Sequence, residues 1–529
     1  MHDQAHFNTL RTTILVLTLS LGFQSLDGTN PLAADRNGKP WGENPKLTLW
    51  APCTADDHAA VDRPQTFRTH VRKRCVRADP QALKHVSRLS LELFPDVHVT
   101  IVRSRMESRS PSEFSWFGGI EGKPGSQVVF TVAGTQTVGS IQIPGSSFQV
   151  RPVGGDLHEV HELDPTAWPP DDRPERRRHA DLGTETSLDP EPPRTEAADD
   201  GSLIDVFVVY TEVTAQASGN IGLEIQAAID DSNATYANSG ILHRLRLVGW
   251  SRVNYLESGN VITDRDLLRD DSDGFMDDVH VCRDELAADV TVLIVENSGP
   301  AALGAAYTMA TVSTAFESSA FAAVERASSS ANHTFAHEIG HIMGARHDRI
   351  HDNTDGMPFD YNHGLVNAGA GWRTIMGVKP SCMTCTRLPE WSNPNDTHNG
   401  DPLGIASGPD AADNHRTLNT TADTVALFRC SEDGGCAPCV GPIPDPASAG
   451  YSAPNFCVRG ITNASAYTLR IYSLGGQLVD QIPGSTAGCF INRDVCWNGS
   501  LAATGLYTYS LELTQCGGSR TVSGQFFKS

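Results

Sequence analysis

The stretch HTFAHEIGHIMGARHD, residues 333–348, constrains the fold and chemistry of this chain more than any other part of the sequence. On a helix, His337 and His341 are four residues apart and therefore lie on one face, one turn apart. Imidazole is a strong zinc ligand, so this pair supplies half of a tetrahedral site. Gly344 ends such a helix, because glycine adopts positive φ without steric cost, and the resulting turn brings back His347 as a third ligand.

Glu338 follows the first of these histidines, where its carboxylate reaches a water on the metal without replacing it. Three histidines leave one coordination position for that water, which is typical of a catalytic zinc site rather than a structural one. The sequence therefore predicts a zinc site with its base. The alternative is an ordinary helix with solvent-facing histidines. Four further histidines lack ligand spacing, and we predict that they lie at the surface: His333, His351, His363 and His398.

Length, charge and the N-terminus indicate an exported protein of several domains. The 529 residues exceed one compact core, and the formal net charge of −22 disfavours nucleic acid and anionic membranes as main partners. Arg11, the apolar run TTILVLTLSLGF and small residues up to Ala34 form a signal-peptide pattern in 1–34. This run is too short for a stable transmembrane helix, and no later segment is longer. We therefore predict a secreted protein without a transmembrane helix.

Patterning divides the rest of the chain into five segments. Residues 35–164 contain short apolar strands and glycine turns, which indicates a β-rich module. Residues 165–202 are rich in proline and charge, which predicts a disordered linker. Residues 203–430 alternate strands and helices, which predicts an α/β sheet with GAAYTMATV as a candidate edge strand. A cysteine- and proline-rich linker, 431–454, precedes a small β-sandwich in 455–529.

The twelve cysteines indicate disulfides, because the chain carries an export signal. Their pairing does not follow from the sequence. Two CxxC pairs, Cys382/Cys385 and Cys436/Cys439, also resemble the spacing of a zinc ribbon, but their wide separation favours disulfides.

The acidic stretch RDDSDGFMDD admits two interpretations. It is a candidate structural Ca²⁺ site, although it lacks the full ligand spacing of an EF-hand. Asp271 and Asp273 also suit a helix N-terminus, where carboxylates meet free N–H groups. We favour the helix cap.

Beyond this local chemistry, HEIGHIMGARHD resembles the metzincin zinc-protease signature H-E-x-x-H-x-x-G-x-x-H. Asp348 after the third histidine resembles the reprolysin/adamalysin branch of that group. GWRTIMGV supplies Met376 where metzincins carry a methionine turn beneath the metal, and LPEWSNPN resembles a segment that follows the turn in bacterial reprolysin-like proteases. The resemblance covers about 203–430, and it implies an α/β metzincin-type catalytic domain, a mixed twisted sheet with a long active-site helix.

The resemblance implies a zinc-dependent endopeptidase with protein or peptide substrates. Zinc would polarise the scissile carbonyl and activate a water, whose proton Glu338 takes and later passes to the leaving amine. Gly344 and Asp348 would support the framework of the site. The alternative is a secreted adhesion or binding protein with an inactive metzincin fold. Loss of Glu338 or of a histidine ligand would have favoured that alternative, and none is lost.

The flanking segments resemble the accessory parts of secreted proteases. Residues 35–164 resemble the propeptides of reprolysin-like enzymes, which implies a latent precursor. Such propeptides sometimes use a cysteine to close the zinc site, and Cys75 is a possible latency thiol. A disulfide with Cys53 is favoured over this role, because the residues around Cys75 do not match the known switch motifs closely. DVCWNGSLAATGLYTYSLEL resembles bacterial C-terminal sorting or β-sandwich domains. It suggests a contact with secretion or cell-surface machinery, and hence a secreted or surface-attached protein.

Overall fold

The computed structural model describes the chain in ten stretches: 49–57, 69–143, 145–169, 203–429, 448–452, 455–461, 466–485, 493–498, 505–515 and 518–528. The predicted signal peptide, most of the linker 165–202 and most of 431–454, with Cys436 and Cys439, lie outside these residues. Within the stretches described, no helix has the length and apolar character needed to cross a bilayer.

Nine described strands between residues 50 and 163 form one antiparallel sheet, which we call the N-terminal sheet. Its order is β1-β2-β9-β8-β7-β6-β5-β4-β3, so the long strands β4 to β9 follow one another as hairpins. The strands are β1 (Trp50–Pro52), β2 (His70–Ala78), β3 (Arg88–Phe94), β4 (Val97–Ser108), β5 (Glu113–Ile120), β6 (Lys123–Ala133), β7 (Gln136–Ile143), β8 (Ser146–Gly154) and β9 (Leu157–Leu163). A 3₁₀ turn, Pro80–His85, joins β2 to β3.

The two faces of the N-terminal sheet differ in chemistry although both are buried. One face carries an apolar core that includes Trp116, Phe130 and Phe148. The residues between them, such as Ser115 and Gln149, are polar and equally buried. Because side chains alternate between faces along a strand, the polar face must be covered by another polar surface of the protein.

Residues 203–429 form a second, mixed sheet of five strands with order β11-β10-β12-β14-β13. Its strands are β10 (Leu203–Tyr210), β11 (Arg244–Arg252), β12 (Val290–Val295), β13 (Gly304–Ala306) and β14 (Phe321–Glu325). All pairs are parallel except β13, which runs antiparallel to β14 at one edge. The sequences of the interior strands are continuous apolar runs, because both faces of a parallel sheet are covered by helices and side chains on each face are buried.

Six helices accompany this sheet: α1 (Glu212–Ala217), α2 (Ile221–Asn238), α3 (Val261–Arg269), α4 (Asp278–Glu285), α5 (Thr334–Ile342) and α6 (Asn414–Val425). Short 3₁₀ turns cover Thr314–Ser319, Arg326–Ser328 and Lys379–Ser381. Five two-residue strands lie after α5: β15 (Val366–Asn367), β16 (Trp372–Arg373), β17 (Thr386–Arg387), β18 (Thr397–His398) and β19 (Asp401–Pro402). Helix α2 is capped by Asn220, whose side chain accepts from the Leu223 N–H.

The predicted helix cap at Asp271 and Asp273 is wrong. Helix α4 begins only at Asp278, and Asp277 precedes it without a side-chain cap bond. The Asp273 carboxylate instead accepts a hydrogen bond from the Phe275 N–H at 2.8 Å, a local turn. In the described residues the only cluster with metal-ligand geometry is formed by histidines, so the calcium interpretation of the acidic stretch gains no support.

The C-terminal residues form two further antiparallel sheets. One contains β20 (Ser448–Ser452), β21 (Asn455–Ile461) and β24 (Arg493–Asn498); the other contains β22 (Ala466–Ser473), β23 (Leu478–Ser485), β25 (Gly505–Gln515) and β26 (Gly518–Lys528). Phe456 and Trp497 from the first sheet and Leu469 and Leu511 from the second belong to one apolar cluster. The two sheets therefore pack on each other through this cluster.

Candidate metal centre

Helix α5 holds two of the predicted ligands by burying its opposite side. Phe335, Ile339 and Ile342 belong to the main apolar core of the domain. His337 and His341 are displaced around the helix from these residues, four positions apart, and are buried as well. The apolar positions thus fix the rotation of the helix, and that rotation sets where the two imidazoles lie.

The turn after α5 brings the third histidine to the other two. Gly344 has φ of +88°, in the region that favours glycine, and the chain reverses there. The His347 Nε2 atom then lies 3.1 Å from the Nε2 atom of His337 and 3.1 Å from that of His341. Three imidazole nitrogens converge on one point inside the protein.

Hydrogen bonds on the far side of two rings fix which nitrogen is free to bind. His337 Nδ1 donates to the Ile375 carbonyl and His341 Nδ1 donates to the Ala345 carbonyl, each at 2.9 Å. The Nε2 atoms of those rings therefore present lone pairs to the centre. Burial lowers the pKa of His341 to about 4, and burial with the neighbouring imidazoles lowers the pKa of His347 well below its usual value.

This arrangement fits a metal ion. The Nε2 lone pairs of His337 and His341 both face His347 Nε2 at 3.1 Å, and one N–H on His347 could serve only one of them, whereas a cation would bind all three nitrogens. Three nitrogen ligands with one open position match a catalytic zinc site. The residues that would hold the ion are those predicted from the spacing.

Glu338 is 2% exposed and lies beside the edge strand of the sheet. A methyl group added at Gly304, the first residue of β13, would meet the Glu338 Oε1 atom at 2.5 Å. The backbone of the edge strand therefore approaches the carboxylate closely only because residue 304 is glycine. A peptide that pairs with β13 would thus run past Glu338.

Met376 and Trp391 support α5 at Gly340, the position between the two helical ligands. A Cβ atom at Gly340 would lie 2.6 Å from the Trp391 ring and 3.2 Å from the Met376 sulfur. Both supporting side chains are fully buried. Met376 therefore lies directly against the metal-bearing helix.

Asp348 ties the third ligand to the chain that follows Met376. Its carboxylate accepts from the Val378 N–H at 2.9 Å and from the Ser381 hydroxyl at 2.7 Å. It also accepts from the Ile350 N–H. The residue next to His347 thus anchors the segment 378–381 at the edge of the centre.

Of the two interpretations left open for Cys75, the latency thiol is wrong and the disulfide is found. Cys75, on β2, forms a disulfide with Cys53. A cystine sulfur has no thiolate to donate to zinc, so the alternative interpretation holds. Cys382 and Cys385 also form a disulfide, which removes this pair from the zinc-ribbon interpretation.

The prediction of surface positions for the remaining histidines is wrong for three of the four. His333 and His363 are fully buried and His398 is nearly so, whereas His351 is partly exposed. His333 Nδ1 bonds to the Asp231 carboxylate at 2.6 Å, and His363 Nδ1 donates to the His347 carbonyl at 2.7 Å. These histidines pair with residues distant in sequence, which spacing does not reveal.

The polar face of the N-terminal sheet covers α2 and the loop before α5. Thr131 donates to the Asp230 carboxylate at 2.6 Å, and the Ser115 hydroxyl binds the same group. Gln127 donates to Asp231 at 2.9 Å, the carboxylate that holds His333. Burial raises the pKa values of Asp230 and Asp231. The hydroxyl and amide donors replace the water that these carboxyls lose.

Sequence comparisons identify proteins similar to this chain. Residues 201–392 match Reprolysin_5, metallopeptidase family M12. A peptidyl-Asp metalloendopeptidase of Stenotrophomonas maltophilia (strain R551-3) is 35% identical over 67% of this chain and 86% of its own length. A protein of the same name from Xanthomonas campestris pv. campestris is 31% identical over 74% of this chain and 94% of its own.

A comparison of structures finds metalloproteinase-II from Bacteroides fragilis, at 12% sequence identity. The similarity covers 61% of this chain and 89% of that chain with a TM-score of 0.32, which is too low to compare the folds.

Proposed function

Because the chain belongs to metallopeptidase family M12 and is a reprolysin-like metalloendopeptidase, we propose that it is a secreted zinc enzyme that cuts peptide bonds next to aspartate and is made as a latent precursor. The observation that carries the proposal is the convergence of three buried Nε2 atoms beside Glu338. The aspartate preference rests on relatives named peptidyl-Asp metalloendopeptidase, of which the chain covers 86% and 94%. The intact site disfavours an inactive binding protein.

In this proposal His337, His341 and His347 hold the zinc. When bound, the zinc supplies a Lewis acid that polarises the scissile carbonyl and lowers the pKa of a water. Glu338 takes a proton from the attacking water on its carboxylate and delivers it to the leaving amine. The antiparallel edge strand β13 binds the substrate backbone as an added strand.

The N-terminal sheet would act as the propeptide. Its polar face covers α2, and its last described residues, 164–169, lie against the domain that carries the histidines. Residues predicted as the start of a disordered linker are therefore packed: Trp168 is 1% exposed. The C-terminal strands remain our candidate for contact with secretion or cell-surface machinery.

The decisive test compares wild type with Glu338→Ala on a mixed peptide library read by mass spectrometry. The full-length chain is expressed, its propeptide is removed, and zinc content is measured. We expect wild type to cut beside aspartate and the variant to bind zinc while its kcat/KM falls by about 10³-fold, since it lacks the proton acceptor.

Glu212→Ala, which removes an exposed carboxylate on α1, serves as the control and is expected to match wild type. Undiminished cleavage by Glu338→Ala would refute the role of this carboxylate. No cleavage of any peptide by zinc-loaded wild type would refute the endopeptidase mechanism.

A further inference from the structure

We infer that Lys379 recognises the acidic side chain of the substrate, and that residues 164–168, the tail of the N-terminal sheet, occupy its site in the precursor. This role of Lys379 rests on the proposed function, because it assigns the preference for aspartate to one residue. It also accounts for latency, because the tail must leave before a substrate can bind.

Lys379 lies on a segment that is hydrogen-bonded to one predicted ligand, His337, and to Asp348, which follows another. Ile375, before it, accepts a hydrogen bond from His337 through its carbonyl at 2.9 Å. Val378 and Ser381, on either side of it, donate to the carboxylate of Asp348, the neighbour of His347. The backbone of Lys379 is therefore held in a fixed position next to the centre.

The side chain of Lys379 is chemically unusual for this domain. It is the only lysine between residues 203 and 430, where all other permanent cations are arginines. It is also buried, with 7% of the residue exposed. A buried ammonium requires oxygen partners, because an unpaired charge that has lost its water is strongly destabilising.

Two of those partners come from the tail. The Lys379 ammonium donates to the Trp168 carbonyl at 2.6 Å and also to the Thr166 carbonyl. The tail is shaped for this contact by Asp164, whose carboxylate accepts from the N–H of Thr166 at 2.8 Å and from its hydroxyl at 2.7 Å. Removal of the N-terminal sheet would therefore take oxygen partners away from a buried charge.

The other side of the tail touches the edge strand. Leu163 and Trp168 pack in one cluster with Ala331 and Leu303. Leu303 directly precedes Gly304, the residue that lies against Glu338. The tail thus contacts both Lys379 and the residue that precedes the edge strand, to which we expect a substrate to bind.

Two other buried cations lie nearby but are held by the domain itself. Arg387 donates to the Asn332 carbonyl at 2.9 Å, and Arg373 donates to the Gly377 carbonyl at 2.5 Å. These acceptors remain when the N-terminal sheet leaves. Lys379 differs because the oxygens of Thr166 and Trp168 leave with it. A substrate carboxylate then replaces two neutral carbonyls with a full negative charge, which strengthens the pairing.

The test uses two peptides that differ only in Asp against Asn at the recognised position. Each full-length chain carries an added site for a specific protease within 170–202, is cut there, and is separated from its N-terminal part. We expect the ratio of kcat/KM for the Asp peptide to that for the Asn peptide to fall at least tenfold in Lys379→Met. Lys379→Arg should retain part of the preference, because it keeps the charge.

Arg416→Met is the matched control, since it removes one positive charge from an exposed position on α6. Its ratio should equal that of wild type. An Asp preference that persists in Lys379→Met would overturn the inference, as would equal cleavage of both peptides by wild type. Failure of wild type to cut any peptide is a different result, which refutes the proposed function instead.

A second measurement does not depend on activity. Lys379 in the intact full-length chain should react with acetic anhydride at least tenfold more slowly than in the chain freed of its N-terminal part, as read by peptide mass spectrometry. Exposed Lys123, on β6, reports the general reactivity of the intact chain. Equal acetylation of Lys379 in both forms would overturn the role of the tail.

Discussion

At Gly340 the absence of a side chain sets the distance between the metal-bearing helix and its support. The Trp391 ring and the Met376 sulfur occupy the space where a Cβ atom would lie. Neither can withdraw, because both are fully buried and the Trp391 indole donates to the Thr235 hydroxyl at 3.0 Å. A single methyl group at this position must therefore displace either the helix or the ring.

We predict that Gly340→Ala lowers the free energy of unfolding by about 1–3 kcal/mol, because it overpacks the core beneath α5. Zinc affinity should fall as well, since the helix carries two ligands. Urea unfolding of the zinc-loaded full-length chain, with a chelator competition, measures both effects.

Gly369→Ala is the matched control, because its Cβ atom would meet nothing closer than 3.6 Å. It should change stability by less than about 0.5 kcal/mol. Equal stability of Gly340→Ala and wild type would show that the Trp391 ring and the Met376 sulfur can move aside without loss of stability.

At the scale of elements, the sequence predicted those parts whose evidence is local. The ligand spacing lies within eleven residues, and α2, with its glycine at 240, has a helical apolar period. Strand β14 was missed because FAAVE has little β-branched character, although it lies between β12 and the edge strand. Contacts such as Gly304 with Glu338 join segments far apart in the chain, so packing alone reveals them.

Strand β9 of the N-terminal sheet carries a buried histidine whose hydrogen bond also joins residues distant in the sequence. His158, on β9, accepts from the Thr137 N–H through Nε2 at 2.9 Å and faces the Asp156 carbonyl through Nδ1 at 2.9 Å. This pattern requires a neutral ring, and burial lowers the pKa of His158 to about 4. Protonation would place an N–H against the Thr137 donor.

We predict that the N-terminal sheet loses stability as the pH falls from about 6.5, the pKa of an unfolded histidine, to about 4. The folded pKa is the lower one, so the stabilisation is complete above the unfolded pKa and is lost through the folded pKa. The loss amounts to up to about 3 kcal/mol. Denaturant unfolding of the full-length chain, measured between pH 7.5 and 4, tests this dependence.

His158→Gln keeps a side chain that can accept from Thr137 but does not titrate in this range. Its unfolding midpoint should vary less with pH than that of wild type. Parallel pH profiles of the two proteins would exclude His158 as the source of the effect.

At the scale of the whole molecule, the N-terminal sheet and the histidine-bearing domain meet through a mixed surface. Polar bonds to Asp230 and Asp231 alternate with small apolar clusters, such as that of Phe117 and Val129 with Ala234. Interfaces of partners that separate have this composition, whereas permanent ones are more apolar. The contact is thus suited to a partner that is later removed.

We predict that Thr131→Val weakens the hold of the sheet on the domain by about 1–2 kcal/mol, roughly tenfold in the dissociation constant. The change removes a donor from Asp230, whose carboxyl stays buried. Dissociation of the two parts after cleavage within 170–202 can be followed by size-exclusion chromatography or by recovery of activity.

Thr135→Val, at an exposed turn of the same sheet, is the control and should leave dissociation unchanged. An equal rate of dissociation for Thr131→Val and wild type would show that the Ser115 hydroxyl and the Gln226 amide satisfy Asp230 without Thr131.

The tail that contacts Lys379 is also a short template for a selective inhibitor. The tail binds through main-chain oxygens, through the turn that Asp164 stabilises, and through the packing of the Trp168 indole against Leu303. A cyclic peptide that holds this turn in its bound conformation would lose less conformational entropy on binding than the linear segment. Main-chain oxygens in place of a cleavable aspartate would let such a compound persist where a substrate is consumed.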